Sequence, residues 1–381
     1  MRIIQIGSFP SDVKYIKGGV EASVYGLANE LCNSGEVIVM DVPRIGVEDR
    51  VERQGDMTIH RFCNPGRHQQ DAAKRVNDIV AVILGYHPTI CHIHGTNPFS
   101  WKMMKALRRK GIPIALTVHG VLNVEKKNAL KRRFSWKSLY QYLYQGFVEK
   151  RILCNIERVI VDTGYVHDAV KCLKLRKTPQ MDVIPQGIDR SFFGLSSSSS
   201  SRSILSVGAF SRRKGHLNLI QAFEKVCEQV DDVDLTICGS VAESDYLSEI
   251  ESYLSRSKYK DRIRLVFDAP KEALLEYYKN AHVFALHSQE ESQGIVLAEA
   301  MAAGLPVVST RVGGIPYVID DEVTGLLSEY GDVSAFACSM LHLLNNHSDW
   351  IKMSEHCKQA AAKYSWSRIA EQVTNMYHVI Q

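Results

Sequence analysis

Apolar residues arrive in short continuous runs, separated by stretches in which they recur at helical spacing. Ile3 to Ile6, Val37 to Met40, Ile90 to Ile93, Ile114 to Val118 and Val159 to Val161 are runs of strand length. Between them lie segments such as Val20 to Leu31, whose apolar positions fall on one face of a helix. Continuous apolar strands with helices between them predict a parallel sheet covered on both faces. The pattern then starts again, with expected strands at Ile204 to Val207, Leu235 to Cys238, Ile263 to Phe267, Val283 to Leu286 and Val307 to Ser309, and helices such as Glu272 to Lys279. The fold class read from this repetition is α/β with two Rossmann-like domains.

The domain boundaries follow from the same pattern. Residues 1–190 form the expected first domain and 191–364 the second, with the serine run Ser196 to Ser201 as a linker between them. Tyr364-Ser365-Trp366-Ser367 introduces a last helix over 365–381. Open α/β sheets bind ligands beyond the carboxyl ends of their strands, so the expected site is a cleft across which the two domains face each other.

Composition adds limits. A chain of 381 residues is long for one core, and 45% hydrophobic with 23% charged residues is an ordinary globular balance. No run reaches the roughly 20 apolar residues of a membrane span, and MRIIQIGSFP does not read as a secretory leader, so a soluble cytoplasmic protein is expected. Nine cysteines lie singly, without a Cys-x-x-Cys pair, which suggests neither disulfides nor zinc. The net charge of +4 is modest, but basic residues crowd between Trp101 and Arg151.

The richest stretch is His287 to Ile319, HSQEESQGIVLAEAMAAGLPVVSTRVGGIPYVI. A strand ends near Ser288, a loop carries Glu291, and a helix from about Ile295 to Ala303 carries Glu299 and stops at Gly304. A loop glutamate at a strand end can accept sugar hydroxyls, and one a turn into the helix can take vicinal ribose hydroxyls. The peptide N–H groups of Gln293, Gly294 and Ile295 open the helix, where unpaired donors favour anionic or hydroxyl-rich ligands. A second element, Val207-Gly208-Ala209-Phe210-Ser211-Arg212-Arg213-Lys214-Gly215, is a strand followed by a basic, glycine-flanked loop suited to a diphosphate.

Glu291 and Glu299 with seven residues between them, followed by Ala-Met-Ala-x-Gly-x-Pro-Val-Val and Gly-Gly, resemble the signature of the family 4 retaining glycosyltransferases of the GT-B fold. The resemblance covers nearly the whole chain and is strongest after Val207. It implies a nucleoside diphosphate sugar as donor, bound mainly by the second domain, and a last helix that crosses back onto the first. Lys214 matches the family's lysine, whereas the usual arginine position is Ala209, leaving Arg212 or Arg213 to supply that charge. Val183 to Asp189 resembles the end of the family's first domain, though Asn is more usual than Gln186.

The first domain offers Gly18-Gly19 at the start of a helix, where the backbone can approach a phosphate, and His119 in Thr117-Val118-His119-Gly120 at the end of a strand. The family places a Gly-Gly loop beside the donor diphosphate and a histidine beside the reacting sugar. His92 and His94 alternate on a strand without an acidic third ligand, and Asp232-Val233-Asp234 precedes its strand, away from the ligand edge. No metal and no cofactor are therefore expected.

The chemistry implied is glycosyl transfer with retention, from the donor to a hydroxyl of a glycan or lipid-linked acceptor, in cell-surface polysaccharide or lipopolysaccharide assembly. His119, Lys214 and Glu291 are the expected catalytic residues, with domain closure over the donor. The stretch 126–151 mixes Lys131, Arg132, Arg133, Lys137, Lys150 and Arg151 with Phe134, Trp136, Tyr140, Tyr142, Tyr144 and Phe147, as expected of a helix docked on an anionic inner membrane face rather than on nucleic acid. Two rivals are a nucleotide-sugar epimerase-like enzyme and a catalytically silent nucleotide-sugar-binding homologue, the latter suggested by Ala209.

Overall fold

The computed structural model describes residues 1–16, 18–66, 69–132, 135–195 and 202–381. The expected serine linker at Ser196 to Ser201, and Arg133 and Phe134 of the basic stretch, lie outside the described residues. The chain divides into two compact units. The first comprises Met1–Pro10, Gly18–Gly187 and Trp366–Gln381, and the second Ser11–Lys17 and Ile188–Ser365.

The first unit holds β1 (Arg2–Gly7), β2 (Glu36–Asp41), β3 (Arg50–Gln54), β4 (Met57–Arg61), β5 (Ile90–His94), β6 (Ile114–Val118), β7 (Arg158–Val161) and β8 (Gln180–Val183). They form one sheet in the order β3-β4-β2-β1-β5-β6-β7-β8, parallel except for the β3–β4 pair. Ile3, Ile4 and Ile6 of β1 are all buried, as a strand covered on both faces requires. Three strands carry no apolar run that would reveal them: β3 reads RVERQ, β4 MTIHR and β8 QMDV. Their partners, rather than their own composition, draw them into the sheet.

The last helix, Trp366–Ile380, packs within this unit against the helix Gly19–Leu31. Glycine makes the contact possible. A Cβ on Gly26 would stand 2.1 Å from the Trp366 indole, and one on Gly187 2.5 Å from it. Ile369, Val373, Met376 and Tyr377 follow Trp366 along the buried face of the helix. The basic stretch forms two helices rather than one, Leu122–Arg132 and Trp136–Cys154, and Ser135 caps the second by accepting from the Ser138 N–H.

The second unit holds β9 (Ser203–Val207), β10 (Asp234–Gly239), β11 (Ile263–Phe267), β12 (Val283–Leu286), β13 (Val307–Thr310) and β14 (Gly325–Ser328). All six are parallel, in the order β11-β10-β9-β12-β13-β14. This is the doubly wound arrangement, in which the chain reverses its direction of winding between the two central strands. β14, the short GLLS, has too little apolar length to be seen from sequence. No described helix is long and apolar enough to cross a membrane.

Candidate active site

In the second unit the reversal of winding falls between β9 and β12, so the loops leaving these strands part to opposite sides and leave an opening at their carboxyl ends. The loop after β9 supplies Lys214 and the loop after β12 supplies Glu291. Their side chains meet with Lys214 Nζ 2.5 Å from Glu291 Oε1, and Ser288 Oγ donates to the same oxygen at 2.9 Å. Arg213 Nη1 lies 3.5 Å from Glu291 Oε2 and donates to the Glu290 carbonyl at 3.0 Å. Lys214 and Glu291 are buried, whereas Arg213 is partly exposed. Burial pushes the Lys214 ammonium below its ordinary value, against the pull of Glu291. Burial also raises the Glu291 carboxyl, but the attraction of Lys214 and Arg213 outweighs it and holds the group below its ordinary value.

Backbone shape fixes both loops. Gly215 has φ +64, and a Cβ there would stand 2.0 Å from the His287 carbonyl oxygen, so only glycine lets the basic loop pass this close to β12. Gly313 and Gly314 hold the acidic loop from its other side. The Gly314 N–H donates to the Glu291 carbonyl at 2.8 Å, and a Cβ on Gly314 would meet the Ser292 carbonyl oxygen at 1.9 Å. These two glycines belong to the motif, but only the fold reveals what they touch.

The helix Ile295–Ala302 begins after Gly294, whose φ is +76. Gln293 is buried at its entrance, and Ile295 is its first residue. Glu299 lies on this helix and accepts from the Tyr278 hydroxyl at 2.9 Å. Burial pushes its carboxyl up to about 7, partly offset by that hydrogen bond. Arg212 takes a different course from its neighbours. It is bound to Glu249 at 2.5 Å, lies near Glu243 and Asp245, and stacks over Tyr246 at 5.1 Å, so it is not brought to the Lys214–Glu291 centre. Arg213 is the arginine placed there. Asp234 opens β10 and Asp232 precedes it, which puts this acidic pair at the amino edge of the sheet.

In the first unit the corresponding reversal falls between β1 and β5. Gly18 caps the helix Gly19–Leu31, with open space where its side chain would be, and a Cβ on Gly19 would approach Gln186 Oε1 to 3.4 Å. Gln186 Nε2 donates to Asp162 Oδ2 at 2.6 Å, and the same oxygen lies 3.2 Å from His119 Nδ1. His119 Nε2 lies 3.1 Å from His94 Nδ1. Both ring nitrogens of His119 are thus engaged within the protein, and the structure adds Asp162, Gln186 and His94 to the surroundings of a histidine that the sequence offers alone. Glu149, fully buried, accepts from the Leu122 and Asn123 N–H groups at 2.9 Å each and from Thr96 Oγ1 at 2.8 Å, securing the helix that follows His119. Burial pushes its carboxyl up to about 7 against these bonds. A glutamate within a basic, aromatic helix gives no sequence sign of this task. Among the described residues no group of three or more His, Cys, Asp and Glu side chains is arranged to hold a metal ion.

The two halves of the chain match known protein families. The profile of Glycosyltransferase Family 4 matches residues 17–192, and that of Glycosyl transferases group 1 matches residues 188–364. A D-inositol 3-phosphate glycosyltransferase of Corynebacterium urealyticum is 35% identical over 178 residues, covering 45% of this chain and 41% of that protein. The same-named protein of Corynebacterium jeikeium is 30% identical over 248 residues, covering 60% of this chain and 59% of its own length. The matched region therefore spans only about half of these relatives. Two solved structures share the fold over nearly all of both chains. Sucrose-phosphate synthase of Thermosynechococcus elongatus has a TM-score of 0.83 at 22% identity, covering 100% of this chain and 99% of its own. Anabaena Alr3699/HepE, solved with UDP-glucose, has 0.77 at 16%, covering 99% of each. With the two profiles joined from residue 17 to residue 364, and two mostly parallel sheets of this topology, the chain belongs to the GT-B glycosyltransferases and pairs a family 4 half with a group 1 half.

Proposed function

We propose that this protein is a retaining glycosyltransferase that moves a sugar from a nucleoside diphosphate sugar to an acceptor hydroxyl, with the donor held by the second unit and the acceptor by the first. The observation that carries the reading is the buried Lys214–Glu291 pair at the switch point of the second sheet. A buried ion pair adds little stability over an apolar pair of the same size, so its presence at the ligand edge favours a chemical use. In this reading Glu291 accepts hydroxyls of the donor sugar and Glu299 those of the ribose. Lys214 and Arg213 offset the charge that grows on the departing diphosphate, a role for which we invoke no metal. Gln293, Gly294 and Ile295 offer peptide N–H groups at the helix entrance, and Gly18 and Gly19 a close backbone approach. The acceptor oxygen bonds to the anomeric carbon as the bond from that carbon to the diphosphate oxygen breaks, and the acceptor proton passes to the leaving phosphate. Arg213 in place of the arginine missing at Ala209 argues against a silent homologue.

The acceptor is read at the level of its class. The relatives' name supports a phosphorylated polyol as acceptor. A lipid-linked glycan at a membrane surface is favoured by a different observation. Trp136, Tyr140, Leu143 and Phe147 lie along one side of the helix Trp136–Cys154 and are 79%, 59%, 60% and 57% exposed. Arg151 lies 5.0 Å over the Phe147 ring. Co-sedimentation with anionic vesicles that is lost in Trp136→Ala/Phe147→Ala supports the lipid-linked acceptor, and no sedimentation removes it.

The central test is a thermal-shift panel of UDP, GDP, ADP and CDP and their sugars, with and without magnesium. One nucleotide at about 100 times its Kd stabilises the folded protein by about 2.7 kcal/mol. The shift is expected to survive omission of magnesium and to vanish in Glu299→Ala. Absence of a shift from every nucleotide overturns the reading.

A further inference from the structure

His119 stands near one end of six consecutive side-chain hydrogen bonds that run through the first unit to its last helix. They join Asp162 to His119 at 3.2 Å, His119 to His94 at 3.1 Å, His94 to Gln5 at 2.7 Å, Gln5 to Tyr377 at 3.0 Å, Tyr377 to His92 at 2.7 Å and His92 to Thr117 at 2.7 Å. Gln5, His92 and Tyr377 are fully buried, and Asp162, His94 and Thr117 nearly so. Burial drives the His92 imidazole down to about 3 and His94 well below its ordinary value, and raises the Tyr377 phenol far above its own. At neutral pH His92 and His94 therefore each have one N–H and one lone pair.

A neutral imidazole between two partners donates to one and accepts from the other, so it passes on whatever direction it receives. With Asp162 ionised, His119 Nδ1–H donates to it. If His119 is neutral, its Nε2 must accept from His94 Nδ1–H, leaving His94 Nε2 to accept from the Gln5 amide. Tyr377 then donates to Gln5 Oε1 and accepts from His92 Nδ1–H, and His92 Nε2 accepts from Thr117. If the Asp162–His119 pair holds one more proton, every step is reversed. His119 donates to His94 Nδ1, His94 Nε2–H to Gln5 Oε1, Gln5 Nε2 to Tyr377, Tyr377 to His92 Nδ1, and His92 Nε2–H to Thr117. Half a turn of the Gln5 amide separates the two arrangements.

We propose that this chain has two complete settings of opposite direction, selected by whether the Asp162–His119 pair holds one proton or two, and that Tyr377 is the link that carries the setting from Gln5 to His92. The additional proton comes from water. His92 and His94 keep one proton each and change only which nitrogen carries it. The titratable groups facing the chain are its own members: Asp162 after β7, His119 after β6, His92 and His94 on β5, and Tyr377 on the last helix. Gln186 donates to the same Asp162 oxygen that His119 meets. The relevance of the ring to transfer rests on the function proposed above, whereas the two settings do not.

Histidine 15N NMR of the full chain without nucleotide, titrated from about pH 5 to 9, reads the protonated nitrogen of each ring. His92 and His94 are expected to stay neutral and to exchange Nδ1–H for Nε2–H together, whenever His119 Nε2 turns from acceptor to donor. Tyr377→Phe keeps the ring but removes the hydroxyl joining Gln5 to His92; there His94 still follows the pair and His92 does not. A single His94 tautomer across the range, or His92 still following His94 in Tyr377→Phe, overturns the proposal. The wild-type titration decides the two settings even if the variant does not fold. A nucleotide panel without effect leaves this result standing, because no substrate is needed to read the tautomers.

Discussion

The two units reverse their winding in the same way but furnish the opening with opposite electrostatics. At the switch point of the second unit a buried lysine meets a buried glutamate, with an arginine at its edge. At that of the first, neutral imidazoles, an amide and a phenol pass hydrogen bonds along a line. Topology decides where a ligand edge lies, and the side chains decide what it can do. Fixed charge suits a departing diphosphate, whereas a chain of neutral groups suits the orientation of a single ring.

The difference between the units is largest where the charge pair is cut. Glu291→Ala leaves the Lys214 ammonium buried without its partner, and is expected to lower stability by about 3–5 kcal/mol and transfer by at least about a hundredfold. Chemical denaturation and a transfer assay measure the two effects. His94→Leu is expected to cost only about 1–3 kcal/mol, since it removes hydrogen bonds to Gln5 and His119 rather than the partner of a buried ion pair. Equal losses in the two variants remove the contrast.

Acidity tests the same contrast over pH. Glu291 lies below its ordinary value in the folded protein, so its stabilisation is present above the unfolded value near 4.5 and is lost as pH falls through the lower folded value. Glu149 and Glu299 have the opposite sign. Each is raised to about 7, so their contribution is full below about 4.5 and is lost as pH rises through about 7. Glu149 alone supplies a swing of about 3 kcal/mol in this window. Thermal unfolding between pH 5 and 7 is expected to show a stability that falls with rising pH, and Glu149→Gln to flatten the fall.

The arginines are expected to give the smallest effects and the clearest separation. Arg213→Ala lowers transfer about tenfold with little change in stability, while Arg212→Ala costs about 0–1 kcal/mol and leaves transfer near wild type. Parallel kcat/KM values for the two variants check this, and a larger loss in Arg212→Ala would reverse their assignment.

Much of this architecture is legible in the sequence. Strands whose apolar residues run together, such as Ile3 to Ile6 and Val283 to Leu286, declare a sheet covered on both sides, because burial of each face demands that composition. The motif residues Lys214, Glu291 and Glu299 could be singled out because the stretches around them resemble a known family signature, not from their spacing alone. What stayed hidden depends on contacts between distant segments. β3 and β4 carry alternating or polar sequences that only their neighbours make into strands, and the basic stretch, read as one helix, is broken near Ser135.

Local periodicity thus determined the α/β class, and the motif resemblance the positions at which chemistry had to be sought. The tertiary structure alone placed Arg213 rather than Arg212 beside Glu291, gave Gly313 and Gly314 the task of holding the acidic loop, and joined Tyr377 to His92 across 285 residues. The physical reason is one of range. Secondary structure answers to the few residues on either side, whereas the charge and hydrogen-bond partners of a buried group are set by whichever segments folding brings against it.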